Sequence, residues 1–315
     1  AVCTMVLKPA EATPLCAIET FKILQQAGVP DGVLNLVTAA DPKPIGEVFV
    51  TDPRVRKITF TGSTVVGKHL AAGAGAAMKL ISLELGGHAP FIVCKDADPI
   101  HAAKGAAAVK FLNTGQACIS PNRIFVHHDA LQPFVGEMVK RVARLRAGNG
   151  LEEGVGIGPL VNRQAIDKVD NQVKDAVNNG ATLLHGGERL LDDGLDQGTF
   201  YAPTVLSDVT PDMLIYREET FGPVAAIVPY GDDDDVIAMA NDTQYGLAAY
   251  VYTNNLAEAM RTFEALNFGI VGINDINPTG AAAPFGGVKE SGLGREGGRE
   301  GITEYLDVKL GGFAI

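Results

Sequence analysis

The sequence predicts an α/β fold built on a parallel sheet. Short apolar, strand-like segments alternate with helical segments along the chain. The chain has 315 residues, of which 46% are hydrophobic, so it can bury a large core, and its length suggests about two domains. Repeat and disordered architectures are disfavoured, because the sequence contains neither a recurring period nor a low-complexity tract.

The alternation begins at the first residues, where a strand over residues 4–7 precedes a helix over 14–27 that stops at Gly28. Further strands are predicted over 33–37, 58–60, 79–83, 89–93 and 123–126, and further helices over 45–50, 63–77, 101–111 and 131–145. After a Gly-rich loop over 148–158, the alternation continues with 163–178, 181–184, 225–230, 236–241, 248–252 and 257–265. The β-prone tail over 302–310 is predicted to be an exposed arm.

Charge and cysteine usage exclude several classes of function. The net charge is −11 with a pI near 5.0 and scattered basic residues, which argues against nucleic acid and anionic membranes as partners. No apolar run approaches the roughly 20 residues of a membrane span. The four cysteines form no C-x-x-C pair and suit a reducing compartment, so we expect the cytoplasm, with an organelle matrix as the alternative.

Two further features have simple interpretations. The four aspartates at 232–235 precede an apolar helical pattern and are typical of a solvated helix N-terminus, so no metal site is predicted. The apolar pattern typical of a buried strand starts within the first residues after Ala1. We therefore expect the chain to begin within a domain.

The stretch from Asn113 to Cys118 is the most informative part of the sequence for chemistry. Small and flexible residues there carry a thiol out of a helix end into a turn. A cysteine is a nucleophile only as the thiolate, which requires a base, a positive environment or backbone N–H groups around the sulfur. From chemistry alone, a reactive and a structural Cys118 are equally good interpretations.

Other polar groups follow predicted strands. Glu84 comes directly after an apolar strand and before two glycines, at the edge of the sheet where α/β proteins bind ligands. Gly62 and Ser63 connect a strand to a helix start, which can direct backbone N–H groups at a pyrophosphate. Lys8 and Glu11 stand at another strand end, where a carboxylate could accept hydrogen bonds from a ribose. Each of these, taken alone, is also compatible with an ordinary loop or cap.

Six motifs together resemble the aldehyde dehydrogenase superfamily in content, order and spacing. They are Lys8-Pro9-Ala10-Glu11, Phe60-Thr61-Gly62-Ser63, Glu84-Leu85-Gly86-Gly87, Gly115-Gln116-Ala117-Cys118, Glu219-Thr220-Phe221-Gly222-Pro223 and Pro284-Phe285-Gly286-Gly287. The resemblance covers the whole chain but lacks the family's N-terminal third. It implies part of a Rossmann-like cofactor domain over 1–84, a catalytic thiol domain over 85–290, and a return segment with an oligomerisation strand over 291–315.

The resemblance also implies roles for single residues. Cys118 would attack an aldehyde carbonyl, hydride would leave for a nicotinamide, and water activated by Glu84 would hydrolyse the thioester. The implied cofactor residues are Lys8 and Glu11 at the adenosine ribose, Gly62, Ser63 and Gly67 near the pyrophosphate, Leu85, and Glu219 with Phe221 at the nicotinamide. Glu11 favours NAD over NADP, because a carboxylate repels a 2′-phosphate. Glu296 matches a glutamate that tunes the thiol, and an ion pair to an Arg is an equal alternative.

Within the superfamily, the sequence is most similar to succinate-semialdehyde dehydrogenases, which implies a small semialdehyde as substrate. Leu112 stands where that subfamily has an Arg for the substrate carboxylate, and Ser120 where it has a second Cys. Thr279 matches a carboxylate-binding hydroxyl, and His88 stands where an Asn is usual. Losing a charge-assisted pair such as the one with that Arg costs about 1.5 to 3 kcal/mol, so we expect weaker binding of succinate semialdehyde.

Two alternatives compete with oxidation to the free acid. An acylating enzyme that passes the thioester to coenzyme A is disfavoured, because such relatives usually lack the glutamate that matches Glu84. A non-catalytic binding or structural subunit is motivated by the absent N-terminal portion, which carries an Asn that donates to the oxyanion. We expect turnover reduced by about a hundredfold for a polypeptide that starts at Ala1. The tail implies a homodimer or homotetramer paired through an edge strand.

Overall fold

The protein, described by a computed structural model over residues 3–314, alternates strands with helices. The strands are β1 Met5–Leu7, β2 Leu34–Leu36, β3 Lys57–Thr61, β4 Leu80–Glu84, β5 Ala89–Val93, β6 Pro121–His127, β7 Arg146–Ala147, β8 Val155–Ile157, β9 Thr182–His185, β10 Thr204–Ser207, β11 Val224–Tyr230, β12 Ala248–Tyr252, β13 Ile270–Ile273 and β14 Gly292–Leu293. The helices are α1 Leu15–Gln26, α2 Lys43–Thr51, α3 Thr64–Ala76, α4 Pro99–Lys110, α5 His128–Val142, α6 Arg163–Asn178, α7 Leu214–Arg217, α8 Val236–Asn241, α9 Leu256–Ala265 and α10 Gly298–Thr303.

A seven-stranded sheet dominates the described residues, in the order β13-β12-β5-β6-β11-β10-β9. Its strands pair in parallel except β9, which runs antiparallel to β10. A smaller sheet has the order β14-β4-β3, in which β3 and β4 are parallel and β14 is antiparallel. The predicted α/β class with a parallel sheet is confirmed, with these two antiparallel exceptions.

The large sheet is buried on both faces, so its strands read as nearly continuous apolar runs. Neighbouring residues of β5 show this, because Phe91 belongs to one hydrophobic core cluster and Ile92 to the other, and both are fully buried. Helices α4 and α5 pack on the first face, and α6 and α7 contribute to the second. Packing on both faces therefore holds the strands of the large sheet, and the ends of these strands, in fixed positions.

Local signals explain where the helices begin. Asp98 caps α4, since its Oδ1 accepts from the N–H groups of Ile100 (2.9 Å) and His101 (3.2 Å). Asn162 caps α6 through the N–H of Ala165 (2.9 Å). The last of the four aspartates, Asp235, caps α8 at 3.0 Å, in agreement with the predicted helix N-terminus.

The first part of the chain is organised differently. Strands β1 and β2 form a separate parallel pair. Within the described chain, neither α1 nor α2 contains a buried residue, and Leu15, Ile23 and Val48 are exposed. These helices therefore present apolar side chains that the described residues do not cover.

The sequence pattern did not predict some of the elements. The strands β10 and β13 and the short helix α7 were not predicted, and the loop predicted over 148–158 contains β8, which pairs with β7. Residues 305–314 of the tail that was predicted to be an exposed arm are exposed, and α10 extends to Thr303 with no strand after it up to residue 314. Strand pairing of this tail across subunits stays a prediction. A β-prone segment needs a neighbouring strand to pair with, and this tail has none within the described residues.

The chain changes sheets close to the predicted domain limits. Glu84 ends a strand of the small sheet and Ala89 begins a strand of the large one, while Gly292 returns to pair with Glu84. The division into 1–84, 85–290 and 291–315 stays a prediction. A search of the described residues found no helix with the length and apolar character that crossing a membrane requires.

Candidate active site

A strained turn presents the thiol of Cys118 between α4 and β6. Asn113, Thr114 and Gly115 all have left-handed backbone conformations, with φ of 50°, 61° and 74°. Such a run in non-glycine residues stores strain and persists only where surrounding contacts enforce it. Here the Thr114 Oγ1 donates to the carbonyl of Gly158 (3.3 Å), and a side chain on Gly115 would collide with the carbonyl of Gly222. The predicted turn after a helix end is therefore present and tightly held.

The Glu84-to-Gly87 segment lies directly against this turn. A Cβ on Gly87 would fall well inside van der Waals distance of the Cys118 carbonyl oxygen, so only glycine permits the approach. On the other side, the Tyr250 hydroxyl donates to the carbonyl of Ile119 (2.9 Å). The sheet and the segment after β4 thus hold the thiol between them.

The environment of Cys118 disfavours the free thiolate. The pKa of the Cys118 thiol is raised to about 11, mostly by burial and in addition by the negative charges of Glu219 and Glu84. The backbone N–H groups of Cys118 and Ile119 act in the opposite direction. The resting thiol is therefore protonated at neutral pH, and a base must accept its proton before it can attack.

Glu84 is a buried carboxyl group at the end of β4. It is 5% exposed, and its Oε2 has no hydrogen-bond partner in residues 3–314. Burial raises the pKa of Glu84 to about 8, the charge of Glu296 adds to the rise, and Arg295 opposes it. A carboxyl group tuned in this way holds a proton near neutral pH and can also release it, as a general base requires.

Glu296 acts on Glu84 without forming the ion pair that was its alternative interpretation. The Arg295 Nη1 donates to the carbonyls of Gly287 (3.0 Å) and Gly294 (2.8 Å), and no ion pair within the described chain includes Glu296. Glu296 pairs instead through its backbone with Phe285. The ion-pair alternative is therefore wrong, because the guanidinium is occupied by backbone carbonyls.

Glu219 lies on the opposite side of the same segment. Its Oε1 accepts from the Gly87 N–H (2.9 Å). Burial raises the pKa of Glu219, and the Gly87 N–H, Lys168 and Lys110 lower it. Phe221, two residues further on, is partly exposed and has a left-handed backbone with φ of 54°. A half-buried carboxyl group thus lies on the Gly87 side of the thiol, close in sequence to an exposed aromatic ring.

The N-terminal part of α3, which follows β3, packs against the segment after Glu84. A Cβ on Gly67 would collide with the side chain of Leu85, so the first turns of α3 pack against the residue after Glu84. Ser63 caps α3 through the N–H of Val66 (3.4 Å) and is itself exposed. An exposed helix N-terminus beside a buried acid fits a dinucleotide with its phosphates on the helix and its reactive ring near the thiol.

Comparisons with known proteins agree with this geometry. The model of the aldehyde dehydrogenase family matches residues 1–310. The chain belongs to the aldehyde dehydrogenase family.

Individual relatives fall within the same family. The chain is 50% identical to a protein of Sinorhizobium fredii named as a probable succinate-semialdehyde dehydrogenase (NADP(+)), over 98% of this chain and 62% of that protein. It is 48% identical to a mitochondrial succinate-semialdehyde dehydrogenase of Oryza sativa subsp. japonica, over 98% of this chain and 57% of that protein. A crystal structure of an aldehyde dehydrogenase from Brucella melitensis biovar abortus 2308 superposes with a TM-score of 0.93 at 47% identity, covering 97% of this chain and 62% of that one. The chain thus spans about three fifths of the length of these relatives.

Other residues predicted from the family resemblance have local contacts within the described chain. Lys8 and Glu11 form an ion pair with each other, and the hydrogen bond from Lys8 is the main cause that lowers the pKa of Glu11. Leu112 begins the strained turn and is 58% exposed. Thr279 lies in the exposed loop before β14, where its Oγ1 donates to the Oδ1 of Asn277 (3.0 Å). Their functional roles stay predictions.

Two of the three departures from the subfamily, His88 and Ser120, are buried. His88 is almost fully buried, and its pKa is well below the usual value because of burial and the positive charges of Arg123 and Lys110. The Ser120 hydroxyl donates to the carbonyl of Lys110 (3.3 Å). A serine at this position therefore ties the end of the Cys118 turn back to the helix before it.

The sequence reasoning missed two lysines near Glu219. The ammonium of Lys168 on α6 donates to the backbone carbonyl of Glu219. Lys110, at the end of α4, is fully buried. Lys168 stands among many exposed charges of an amphipathic helix and had no distinguishing signal. Lys110 did have one, since it is a charged residue near the end of an Ala-rich helix that packs under the sheet.

Proposed function

We propose that this chain carries the thiol and cofactor parts of an enzyme that oxidises an aldehyde to a carboxylic acid with a nicotinamide dinucleotide. The observation that carries the proposal is the convergence of Cys118, Glu84 and Glu219 around one glycine segment. Membership of the aldehyde dehydrogenase family supports it. The overall reaction consumes aldehyde, water and the oxidised dinucleotide, and yields acid, the reduced dinucleotide and a proton.

In the first step, Cys118 becomes the nucleophile. The ionised form of Glu84 accepts the thiol proton, and the sulfur forms a bond to the aldehyde carbon while the carbonyl oxygen becomes an alkoxide. The backbone N–H groups of Cys118 and Ile119 favour a negatively charged sulfur. They are the donors that we propose for the negative charge that develops on the carbonyl oxygen. Because the thiol pKa lies near 11 and that of Glu84 near 8, this proton transfer costs about 4 kcal/mol before any stabilisation of the alkoxide.

The residues around the thiol fit a nicotinamide dinucleotide. Gly62, Ser63 and Gly67 would hold the phosphates at the start of α3, and Glu219 with Phe221 would hold the ring and its ribose. The bound nicotinamide supplies the hydride acceptor for the oxidation. Glu84 releases the proton that it took from the thiol to solvent, which is the proton formed in the overall reaction. Its carboxylate then removes a proton from the water that attacks the thioester on Cys118, the acid leaves, and the thiolate takes that proton back from Glu84.

A small aldehyde with a distal carboxylate is the substrate class that we propose. The support is the name succinate-semialdehyde dehydrogenase carried by relatives 46 to 50% identical to this chain. Leu112 at the exposed start of the Cys118 turn offers no charge to that carboxylate. We therefore propose an enzyme that accepts the semialdehyde with a high KM.

The proposed cofactor is NAD, with NADP as the competing choice. Glu11 supports NAD, because its carboxylate, paired with Lys8, would repel a 2′-phosphate. The relative from Sinorhizobium fredii is named for NADP(+), so the two cofactors need direct comparison. We further propose cytoplasmic location and a homodimer or homotetramer.

The test combines thiol chemistry with cofactor protection. Iodoacetamide is applied to this chain with and without NAD or NADP, and alkylation of the peptide that contains Cys118 is followed by mass spectrometry. The expected result is slower alkylation in the presence of one dinucleotide, with the exposed Cys16 as internal control. An inert Cys118 that no dinucleotide affects would contradict the proposal and favour a non-catalytic subunit.

The substrate class is tested by absorbance of the reduced nicotinamide with succinate semialdehyde and with butanal. Leu112→Arg adds a charge for the carboxylate, and it is expected to lower the KM for the semialdehyde by about tenfold or more and leave butanal unaffected. Leu112→Gln is the matched uncharged control. Equal effects of both variants on both aldehydes would show that residue 112 does not meet the carboxylate.

A further inference from the structure

The side chain of Asn122 joins two segments of the candidate site that are far apart in sequence. Asn122 is the second residue of β6, four residues after Cys118, and is 2% exposed. Its Nδ2 donates to the carbonyl of Ser120 (3.1 Å), and its Oδ1 accepts from the N–H of Thr220 (2.8 Å). One buried amide group therefore binds both the end of the Cys118 turn and the residue that follows Glu219.

The pairing of strands does not supply a partner for the N–H of Thr220. Strands β6 and β11 are parallel neighbours, and their paired residues begin at Ile124 and Ile227. Thr220 precedes β11 and is buried, so its N–H lies outside the ladder of the described strands. A buried N–H without a partner is costly. The side chain of Asn122 therefore supplies the acceptor that a neighbouring strand would otherwise provide.

Both polar atoms of the peptide bond between Glu219 and Thr220 are bound by side chains. Asn122 accepts from its N–H, and the ammonium of Lys168 donates to its carbonyl. The Glu219 carboxyl group in turn accepts from the Gly87 N–H (2.9 Å). Of the two side chains that hold this peptide bond, Lys168 is exposed and Asn122 is buried. The position of the Glu219 carboxyl group therefore depends on Asn122 through the backbone.

The two segments that Asn122 joins are also in close contact with each other. A side chain on Gly115, in the Cys118 turn, would collide with the carbonyl of Gly222. Phe221, just before Gly222, has a left-handed backbone with φ of 54°, which surrounding contacts must enforce. Segments packed this closely have one relative position, and the hydrogen bonds of Asn122 lie where that position is set.

We propose that Asn122 is a positioning residue that fixes the Glu219 segment, residues 219–222, relative to the Cys118 turn. It acts through the peptide bond after Glu219 and through the carbonyl of Ser120. The inference rests on the proposed function, in which Cys118 binds the aldehyde and Glu219 holds the nicotinamide ribose. Hydride transfer requires these two partners in fixed geometry, and a misplacement of about 1 Å can slow such a reaction by about a hundredfold.

The first test measures the bond between Asn122 and Thr220 without any cofactor. Hydrogen exchange is resolved to single amides by mass spectrometry with electron-transfer fragmentation. The Thr220 amide is expected to be protected in the parent protein and to exchange at least about tenfold faster in Asn122→Ala. Asn122→Asp keeps an acceptor for this amide and is expected to retain its protection. An unprotected Thr220 amide in the parent, or equal protection in parent and Asn122→Ala, would overturn the inference.

The second test shows whether Asn122 acts at the nicotinamide end of the cofactor. Calorimetry compares NAD and NADP with ADP and its 2′-phosphate, which lack the nicotinamide and the ribose attached to it. Asn122→Ala is expected to weaken dinucleotide binding by about tenfold and to leave binding of the shorter nucleotides unchanged. Equal losses for dinucleotide and shorter nucleotide would indicate general damage to the fold and contradict a positioning role.

Asn241 provides a matched control, because its side chain makes the same two kinds of contact elsewhere. Its Nδ2 donates to the carbonyl of Ala265 (2.9 Å), and its Oδ1 accepts from the N–H of Asn267 (2.9 Å). Asn241→Ala is expected to change neither the exchange of the Thr220 amide nor dinucleotide binding. A change in either that matches Asn122→Ala would contradict a specific role of Asn122.

Two outcomes separate this inference from the proposed function. If no dinucleotide binds to the parent while the exchange result holds, the proposed function fails and the link between the two segments stands. If dinucleotides bind equally well to parent and Asn122→Ala, the proposed function stands and the positioning role fails. If Asn122→Ala does not fold, the Thr220 amide of the parent and of Asn122→Asp decides, with protection in both supporting the link and its absence in the parent overturning it.

Discussion

Helices α1 and α4 have the same length and opposite surroundings. Of its twelve residues, α4 buries seven, whereas α1 buries none within the described chain, and its Leu15 is 72% exposed. Helix α4 lies under the seven-stranded sheet and leads into the thiol turn. Helix α1 connects the two strands of the separate pair β1 and β2. Packing energy is therefore concentrated where the strained nucleophile is held, and the region of Lys8 and Glu11 has little of it.

Glu84 stands between the small sheet and the large one. Its strand belongs to the small sheet, but Gly87 packs on the Cys118 turn beside the large sheet. The position of its carboxyl group therefore depends on both sheets. The following experiments separate the contribution of each region, starting with the largest expected difference.

Hydrogen exchange measures the contrast directly. Amides of β5 and β6 are expected to exchange at least about a thousandfold more slowly than those of β1 and α1, a difference of about 4 kcal/mol in local opening. The physical reason is that β5 and β6 are buried on both faces, while the first helices are exposed. Equal protection in the two regions, read by mass spectrometry of peptic peptides, would remove the basis of the comparison.

Replacing one carboxyl group in each region tests where the chemistry lies. Glu84→Gln is expected to slow turnover by about a hundredfold or more, since the amide can accept neither the proton of the thiol nor that of water. The loss would be measured as slower formation of the reduced nicotinamide after aldehyde and dinucleotide are added. Glu19→Gln, at an exposed pair with Lys22 on α1, is expected to have no effect. A similar loss in both variants would argue against Glu84 as the base.

A pair of glycines tests packing in the two regions. Gly87→Ala places a methyl group on the Cys118 carbonyl, and it is expected to cost about 1 to 3 kcal/mol of unfolding free energy and to disturb the thiol. Gly46→Ala, on α2, meets nothing within 4 Å and is expected to stabilise by up to about 1 kcal/mol. Denaturant unfolding of both variants measures the difference, and a harmless Gly87→Ala would mean that the turn is less tightly packed than described.

The smallest expected effect is on the pH dependence of stability. The pKa of Glu84 is raised to about 8 in the folded protein, so its stabilising contribution is complete below the unfolded pKa and is lost as pH rises through about 8. Between pH 7 and 8 this loss is about 1 kcal/mol. Glu84→Gln is expected to flatten that slope and Glu19→Gln to retain it. Parallel slopes for parent and Glu84→Gln would show that Glu84 is not buried in its neutral form.

Much of this architecture is readable from local patterns. The predicted strand after residue 89 and the turn before Cys118 follow from apolar runs, caps and glycines, which are properties of neighbouring residues. The approach of Gly87 to Cys118 joins segments far apart in sequence, for which local patterns carry no signal. Whether the β-prone tail forms a strand likewise depends on a partner strand, which propensity alone cannot supply.

The pairing of β14 with β4 has a consequence for the order of synthesis. Gly292 lies opposite Glu84, so the strand that carries the base gains its second neighbour only after roughly two hundred further residues have been translated. The nucleophile leaves the ribosome early in that interval. A growing chain therefore contains the thiol of Cys118 before Glu84 is fully held beside it. Until the fold closes around it, that cysteine keeps an ordinary pKa of about 8.5 and is mostly a protonated thiol at neutral pH.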